Sequence, residues 1–240
     1  MPDTGVMLEE IFRAISPRRD LAGKHVLVTV GPTREYLDPV RFISNPSSGK
    51  MGLAMARTAW YRGAEVRVVL GPIPSVAFEN LHGLEICGVE TAAEMRGAVM
   101  ENLNWADCVV KAAAVGDYRA SHVANHKMKR ELEQKSSRNL TLTLEQNPDI
   151  AAEVGAVKRP DQFLIGFAAE TDDLVKNARA KMERKGLDLM LANDVSDKSG
   201  GFGSDFNTVR MISDAFGEIT ISGTKEEVSD AVWEKTTGLF

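Results

Sequence analysis

An apolar, β-branched run, His25-Val-Leu-Val-Thr-Val30, leads into a turn at Gly31-Pro32-Thr33, a polar loop and a helical pattern from Leu53 to Arg62. The loop reads Arg41-Phe-Ile-Ser-Asn45-Pro-Ser-Ser-Gly49-Lys-Met-Gly52. Strand, glycine-bearing loop and helix in that order point to an open α/β sheet, where ligands sit at the carboxyl ends of the strands. Ser47 or Ser48 is expected to cap the helix. The helix start offers unpaired N–H groups and a positive dipole end, which suit a phosphate or carboxylate. Residue types alone leave two readings open: such a ligand loop, or an ordinary strand-to-helix connection packed tightly with small residues. It is not a Walker A loop, because Ser44 stands where glycine is needed and Met51 where Ser or Thr is needed. It also lacks G-x-G-x-x-G.

The rest of the chain repeats the alternation. Strands are expected at residues 25–30, 65–70, 84–87, 107–115, 163–169 and 187–192, with helices at 48–62, 91–102, 147–157, 172–185 and 225–237. Thr91 with Glu94 forms a capping box. The run Phe163-Leu-Ile-Gly-Phe-Ala-Ala169 is apolar throughout and reads as sheet-central. Residues 207–212 and 218–221 read as an antiparallel pair joined through Asp214-Ala-Phe-Gly217. The fold class is therefore α/β: a Rossmann-like, doubly wound, mainly parallel sheet with a C-terminal antiparallel hairpin. Residues 1–22 read as a lead-in helix and linker, and 23–240 as a single domain. Between the strands, residues 116–138 lose apolar periodicity and carry the basic run Lys127-Met-Lys-Arg130. A long charged excursion of this kind is often a lid or binding loop. Leu140-Thr-Leu-Thr-Leu144 alternates as an exposed strand would.

The net charge of −5 over 240 residues argues against broad nucleic-acid binding. No apolar stretch is long enough for a membrane helix, and the N-terminus has no secretory apolar region. Cys87 and Cys108, both in apolar runs, are expected to be buried free thiols of a cytoplasmic protein. The histidines are scattered without metal-ligand spacing.

The literal residues narrow the function. Gly31-Pro-Thr-Arg-Glu35, Asp38-Pro-Val-Arg-Phe-Ile-Ser-Asn45 and Ser47-Ser-Gly-Lys-Met-Gly52 closely resemble the phosphopantothenoylcysteine synthetase family, the synthetase half of the bacterial bifunctional coenzyme A biosynthesis flavoprotein. Ala112-Ala-Ala-Val-Gly-Asp117-Tyr matches a family motif apart from Gly116, which is usually alanine. Lys127-Met-Lys-Arg130 resembles the family's Lys-x-Lys-Lys on a mobile flap. Asn147-Pro-Asp-Ile150, Gly166-Phe-Ala-Ala-Glu-Thr171, Ala192-Asn-Asp-Val-Ser196 and Gly201-Phe-Gly-Ser-Asp205 follow in family order.

That resemblance, over residues 21–235, implies an enzyme that ligates 4′-phosphopantothenate to L-cysteine with CTP, through an acyl-cytidylate. It implies Mg²⁺ on the triphosphate, a homodimer, and a decarboxylase domain preceding this one in the full-length protein. Asn45 would hold the intermediate, Arg41 would assist the loop or substrate, and Lys127 would stabilise charge during transfer to cysteine. Ala113, Asp117, Lys127, Asn147, Pro148, Asp149, Ile150 and Phe167 would form the nucleotide pocket, and Asp117 would also ligate the metal. Lys181 and Lys185 share a helix face and would meet the phosphates. Ser47, Ser48 and Gly49 would bind the substrate phosphate. Taken without the resemblance, Asp117 reads as a turn cap, Asn147 as a helix cap, Phe167 as core, and the lysines as solvated. The same fold class also hosts NAD(P)-dependent oxidoreductases, which would want a glycine fingerprint and an acidic residue ending the second strand. Here that strand ends Leu70-Gly71-Pro72. A non-catalytic nucleotide-binding module is the other alternative.

Overall fold

The computed structural model describes residues 3–74, 81–128, 140–170, 174–194 and 204–240. The order begins α1 (Thr4–Ile15), β1 (His25–Val30), β2 (Arg34–Tyr36), β3 (Phe42–Ser44), α2 (Lys50–Tyr61), β4 (Glu65–Leu70) and β5 (Glu85–Gly88). It continues α3 (Ala92–Leu103), β6 (Cys108–Lys111), β7 (Tyr118–Ala120), β8 (Leu144–Gln146), α4 (Ile150–Val157) and β9 (Phe163–Glu170). It ends α5 (Leu174–Lys185), β10 (Leu189–Asp194), β11 (Phe206–Ser213), β12 (Gly217–Thr224) and α6 (Lys225–Thr236).

Eight strands form one sheet in the order β12-β11-β10-β9-β6-β1-β4-β5. From β5 to β10 every pairing is parallel, and β10-β11-β12 are antiparallel. Counting only the parallel strands in chain order, the arrangement is 3-2-1-4-5-6, which reverses direction between β1 and β6. The expected α/β class, the central place of β9 and the C-terminal hairpin are all present. Residues 129–139, which hold the latter part of the expected flap, lie outside the described residues.

Strand alternation divides the core in two. Val26, Val28 and Val30 of β1 pack with Met55 and Trp60 of α2 and Val232 and Trp233 of α6. Leu27 packs on the opposite face with Met95 of α3, Val154 of α4 and Met182 of α5. The fully buried Trp233 donates its indole N–H to the Met55 carbonyl and Thr58 Oγ1, both at 3.1 Å, and so joins α6 to α2. Arg62 is also buried. It bonds Asp20 and Asp230, fastening the segment before β1 to the end of α2 and to α6.

Several local expectations need correction. The N-cap of α2 is Gly49, in the left-handed region at φ 75°, with no side-chain cap, so neither Ser47 nor Ser48 caps it. A Cβ at Gly49 would lie 2.8 Å from Ile73, which explains why a serine does not take that place. Asp149, not Asn147, caps α4, accepting the Ala152 N–H at 3.1 Å. The strand read at 107–115 stops at Lys111, and the one read at 140–144 begins only at Leu144. Cys87 is exposed, because β5 is an edge strand with no buried residue, whereas Cys108 is buried; both thiols are free. The hairpin β2–β3 and the strand β7, which pairs with β8, are not expected from the sequence.

α4 crosses close to the end of α5. A Cβ at Gly155 would fall 1.9 Å from the Lys185 carbonyl oxygen, so only glycine permits this approach. Gly155→Ala should lower folding stability by roughly 1–3 kcal/mol, read as a lower denaturant midpoint. An unchanged midpoint would contradict this packing.

Candidate functional site

Ligand crevices in such sheets open where the strand order reverses, and the structure has its cleft there. Beyond the carboxyl ends of β1 and β6 lies an open cavity of about 800 Å³. Its walls come mainly from 45–52 at the start of α2, 111–118 after β6, 146–151 at the start of α4, and β9 with α5, with further residues from β10, β11 and α6.

Hydroxyl and amide side chains stitch these stretches together. Thr29 Oγ1 on β1 accepts the Ala113 N–H at 3.2 Å. Thr33 Oγ1 accepts the Gly116 N–H at 2.9 Å, while its carbonyl accepts Ser44 Oγ at 2.7 Å. Asn45 reaches across the cleft, donating Nδ2 to the carbonyls of Ala114 at 3.3 Å and Val115 at 3.1 Å. Asn147 donates Nδ2 to the Gly116 carbonyl at 2.9 Å, and its Oδ1 accepts Arg119 Nη1 at 3.0 Å. The loop after β6 is thus held from both sides, and Ala112-Ala-Ala-Val-Gly116 presents small side chains that let a ligand approach the backbone.

The structure brings together Asn45, Ser47, Ser48, Gly49, Ala113, Asp117, Asn147, Pro148, Asp149, Ile150, Phe167, Lys181 and Lys185 on this one cavity. Arg41 and Lys127 do not line it. Arg41 Nη1 bonds Asp38 Oδ2 at 3.0 Å and the Met128 carbonyl at 2.8 Å. The buried Asp38 also accepts the N–H groups of Val40, Arg41 and Met128. Burial alone would raise its pKa, but those three N–H groups and the Arg41 charge outweigh it and hold the carboxyl below the usual range. Lys127 is the exposed neighbour of this anchored Met128. Lys129 and Arg130 lie outside the described residues, as do residues 195–203 of the later motifs.

Lys185 pairs with Asp149 at 3.0 Å, so the nearby anion is a protein carboxylate. Burial opposes ionisation of Asp149, but the Ala152 N–H and Lys185 prevail and lower its pKa. Residues that the sequence reading did not single out also line the cleft: Lys50, Lys111, Asn193, Asn207 and Lys225. Lys50 pairs with Asp205 at 2.6 Å, and the amide of the buried Asn207 lies 3.4 Å from Asn193 Oδ1. Lys225 donates to the carbonyl of Ser204. Burial and Lys50 hold its pKa below the ordinary lysine value. Lys111, one lysine inside an otherwise apolar run, was the legible signal among these.

Among the described residues five lysines and two aspartates line the cavity, in a chain of net charge −5. Such a concentration of positive charge favours a polyanion. Among the described residues no group of three His, Cys, Asp or Glu converges. A divalent cation here would take most of its ligands from phosphate and water, as Mg²⁺ commonly does. Asp117, exposed on the wall, is the aspartate not engaged by Lys185.

Asp38→Asn should loosen the root of the excursion by removing the ion pair with Arg41. Amide hydrogen exchange at Met128 should then speed up at least about tenfold, with the Thr29 amide unchanged. Equal protection at Met128 would show that Asp38 does not anchor it.

Comparison with known proteins places this arrangement. The DNA/pantothenate metabolism flavoprotein C-terminal domain matches residues 21–239. The coenzyme A biosynthesis bifunctional protein CoaBC of Bacillus subtilis (strain 168) is 44% identical over 211 residues, 88% of this chain and 50% of that protein. CoaBC of Escherichia coli (strain K12) is 45% identical over 213 residues, 88% of this chain and 51% of that protein. The chain therefore spans about half the length of these curated relatives. The crystal structure of the C-terminal domain of a CoaBC superposes with TM-score 0.73 at 35% identity, covering 91% of this chain and 96% of that one. A Cab2 H337A mutant in complex with phosphopantothenate-cysteine shares the fold, with TM-score 0.70 at 17% identity over 96% of this chain and 90% of that one. By motif, fold and sequence, the chain belongs to the DNA/pantothenate metabolism flavoprotein C-terminal domain family.

Proposed function

We propose that this domain is a phosphopantothenate–cysteine ligase that activates its substrate with CTP. The observation that carries the reading is the lysine-lined cleft at the sheet's reversal point, built from motifs that resemble the synthetase family's, in a chain 44% identical to CoaBC of Bacillus subtilis over 211 residues.

A carboxylate is a poor acyl donor until one of its oxygens becomes part of a good leaving group. The 4′-phosphopantothenate carboxylate attacks the α-phosphorus of CTP, the bond to the β-phosphate breaks, and pyrophosphate leaves. The cysteine amine then attacks the acyl carbon, loses a proton, and CMP departs with the former carboxylate oxygen. Lys181 and Lys185 offset charge on the phosphates, a task suited to fixed cations in a partly dry cleft. Asn45 holds the acyl-cytidylate through its side-chain amide, which spans the cleft mouth. Ser47, Ser48 and Gly49 take the substrate phosphate beside the start of α2. Asn147, Pro148, Asp149, Ile150, Ala113 and Phe167 surround the nucleotide. Asp117 would hold Mg²⁺, which neutralises triphosphate charge when bound. Lys127, carried on the segment that Asp38 anchors, stabilises charge in the transfer to cysteine, and Arg41 sets that segment's root. The flap would shield the mixed anhydride from water. The domain would act as a homodimer, in the cytoplasm, joined in the full-length protein to a preceding decarboxylase domain.

Pyrophosphate release tests this reading, measured with 4′-phosphopantothenate and CTP or ATP, with and without cysteine. Release should require the pantothenate compound and CTP, and should fall roughly 10²-fold in Asn45→Asp. Lys127→Gln should impair formation of the cysteine product more than pyrophosphate release. No release with either nucleotide would overturn the ligase reading, and release with ATP alone would overturn the choice of nucleotide. CTP should raise the melting temperature and NAD(P) should not.

A further inference from the structure

Lys111 has no part in the chemistry just described, yet its placement is unusual. It ends β6, in register with Thr29 of β1 and Gly166 of β9. By strand alternation it shares the face of Val109, which packs beneath α3, α4 and α5. The residue lines the cleft, but its Nζ is buried and has no hydrogen-bond partner among the described residues. An ammonium carries three donors, and leaving all of them dry is costly. Its strand neighbours, Thr29 and Gly166, bring no charge. Asp149 caps α4 but is engaged by Lys185 at 3.0 Å, Lys181 of α5 adds a further cation, and Asp117 on the loop after β6 is exposed. Asp149 favours the charged form of Lys111, while Lys185 and the positive end of α4 oppose it. Among the described residues no carboxylate oxygen bonds Lys111 Nζ, and the cleft is where a negative oxygen would arrive.

We propose that Lys111 is the buried floor of a phosphate-binding site, its ammonium meeting a phosphate oxygen of the bound nucleotide, and that binding this phosphate takes up a proton. The assignment rests on the nucleotide reading above. Burial pulls the Lys111 ammonium down to about 7, Asp149 opposing and Lys185 adding to the shift. An ordinary lysine titrates at about 10.4. The sign follows from that difference. In the empty cleft Lys111 is mostly neutral above about pH 7, and an adjacent phosphate favours the charged form, so the proton is acquired on binding. The nucleotide should therefore bind more weakly as pH rises through the empty-cleft value, by up to about tenfold per pH unit.

Two measurements decide it. Calorimetric titration of CTP near pH 8, in two buffers of different ionisation heat, should show wild type taking up about one proton more than Lys111→Met. The variant should also bind CTP at least about tenfold more weakly at neutral pH. The Lys111 Cε carbon signal of ¹³C-lysine protein should titrate near neutrality without ligand and at least about one unit higher with CTP, but not with cytidine. This second measurement is made on wild-type protein and stands even if the methionine variant fails to fold, the signal then being recognised by its near-neutral titration. Equal proton uptake in the two proteins, an unmoved Lys111 signal, or a shift with cytidine as large as with CTP would each overturn the proposal. If wild type gives no heat with CTP, the nucleotide reading fails by itself, and 4′-phosphopantothenate becomes the probe. A raised Lys111 titration with that phosphate would support a phosphate site there, and no shift with either ligand would overturn it.

Discussion

The reversal of strand order between β1 and β6 is the constraint on which everything else depends. Chain connections leave these two neighbours toward opposite faces of the sheet, so nothing regular covers their carboxyl ends. The gap is closed only partly, by side chains: Thr29 and Thr33 hold the backbone after β6 from one side, Asn45 and Asn147 from others. Each of these bonds contributes only about 1 kcal/mol net, but a lost partner would leave a part-buried N–H or carbonyl unpaired at greater cost. The same bonds that hold the loop in place also shape the cleft wall, so fold and site share their supports.

Electrostatics then decides what such a cleft can take. The chain is acidic overall, yet among the described residues five lysines and two aspartates line one cavity. Asp149 shows how the arrangement is balanced: it caps α4, pairs with Lys185, and acts on Lys111. Gly155 allows α4 close enough to α5 for that pairing. A packing feature in one helix therefore positions a charge in another.

Much of this was legible in the residues. The valine-rich strands β1 and β4 and the apolar run of β9 carried their own signal, and the Thr91–Glu94 capping box fixed the start of α3. What escaped depends on distant partners. β2 and β3 are three residues each; all of β3 is exposed, and their pairing across the Asp38 turn follows from contacts with β7 and residue 128 rather than from periodicity. The alternating run at 140–144 pointed to the right strand but the wrong register, because Asn147 N–H to the Asp117 carbonyl and pairing with Tyr118–Ala120 place β8 later. Cys87 looked like core because its run is apolar, but an edge strand has no neighbour to bury it. Most site residues were found through motif identity. Lys111 could have been found from physics alone, since a lysine inside a buried strand demands an explanation.

In the proposed reaction a carboxylate oxygen attacks the α-phosphorus of a nucleotide held in this cleft. Oxygen tracing tests it most directly. With 4′-phosphopantothenate labelled with oxygen-18 in its carboxylate, one turnover in the presence of cysteine should deliver a single labelled oxygen into the phosphate of CMP. Label in inorganic phosphate would instead mean attack at the terminal phosphate and an acyl phosphate, and label in neither would mean that the carboxylate is never activated through a phosphorus ester, either result contradicting the account.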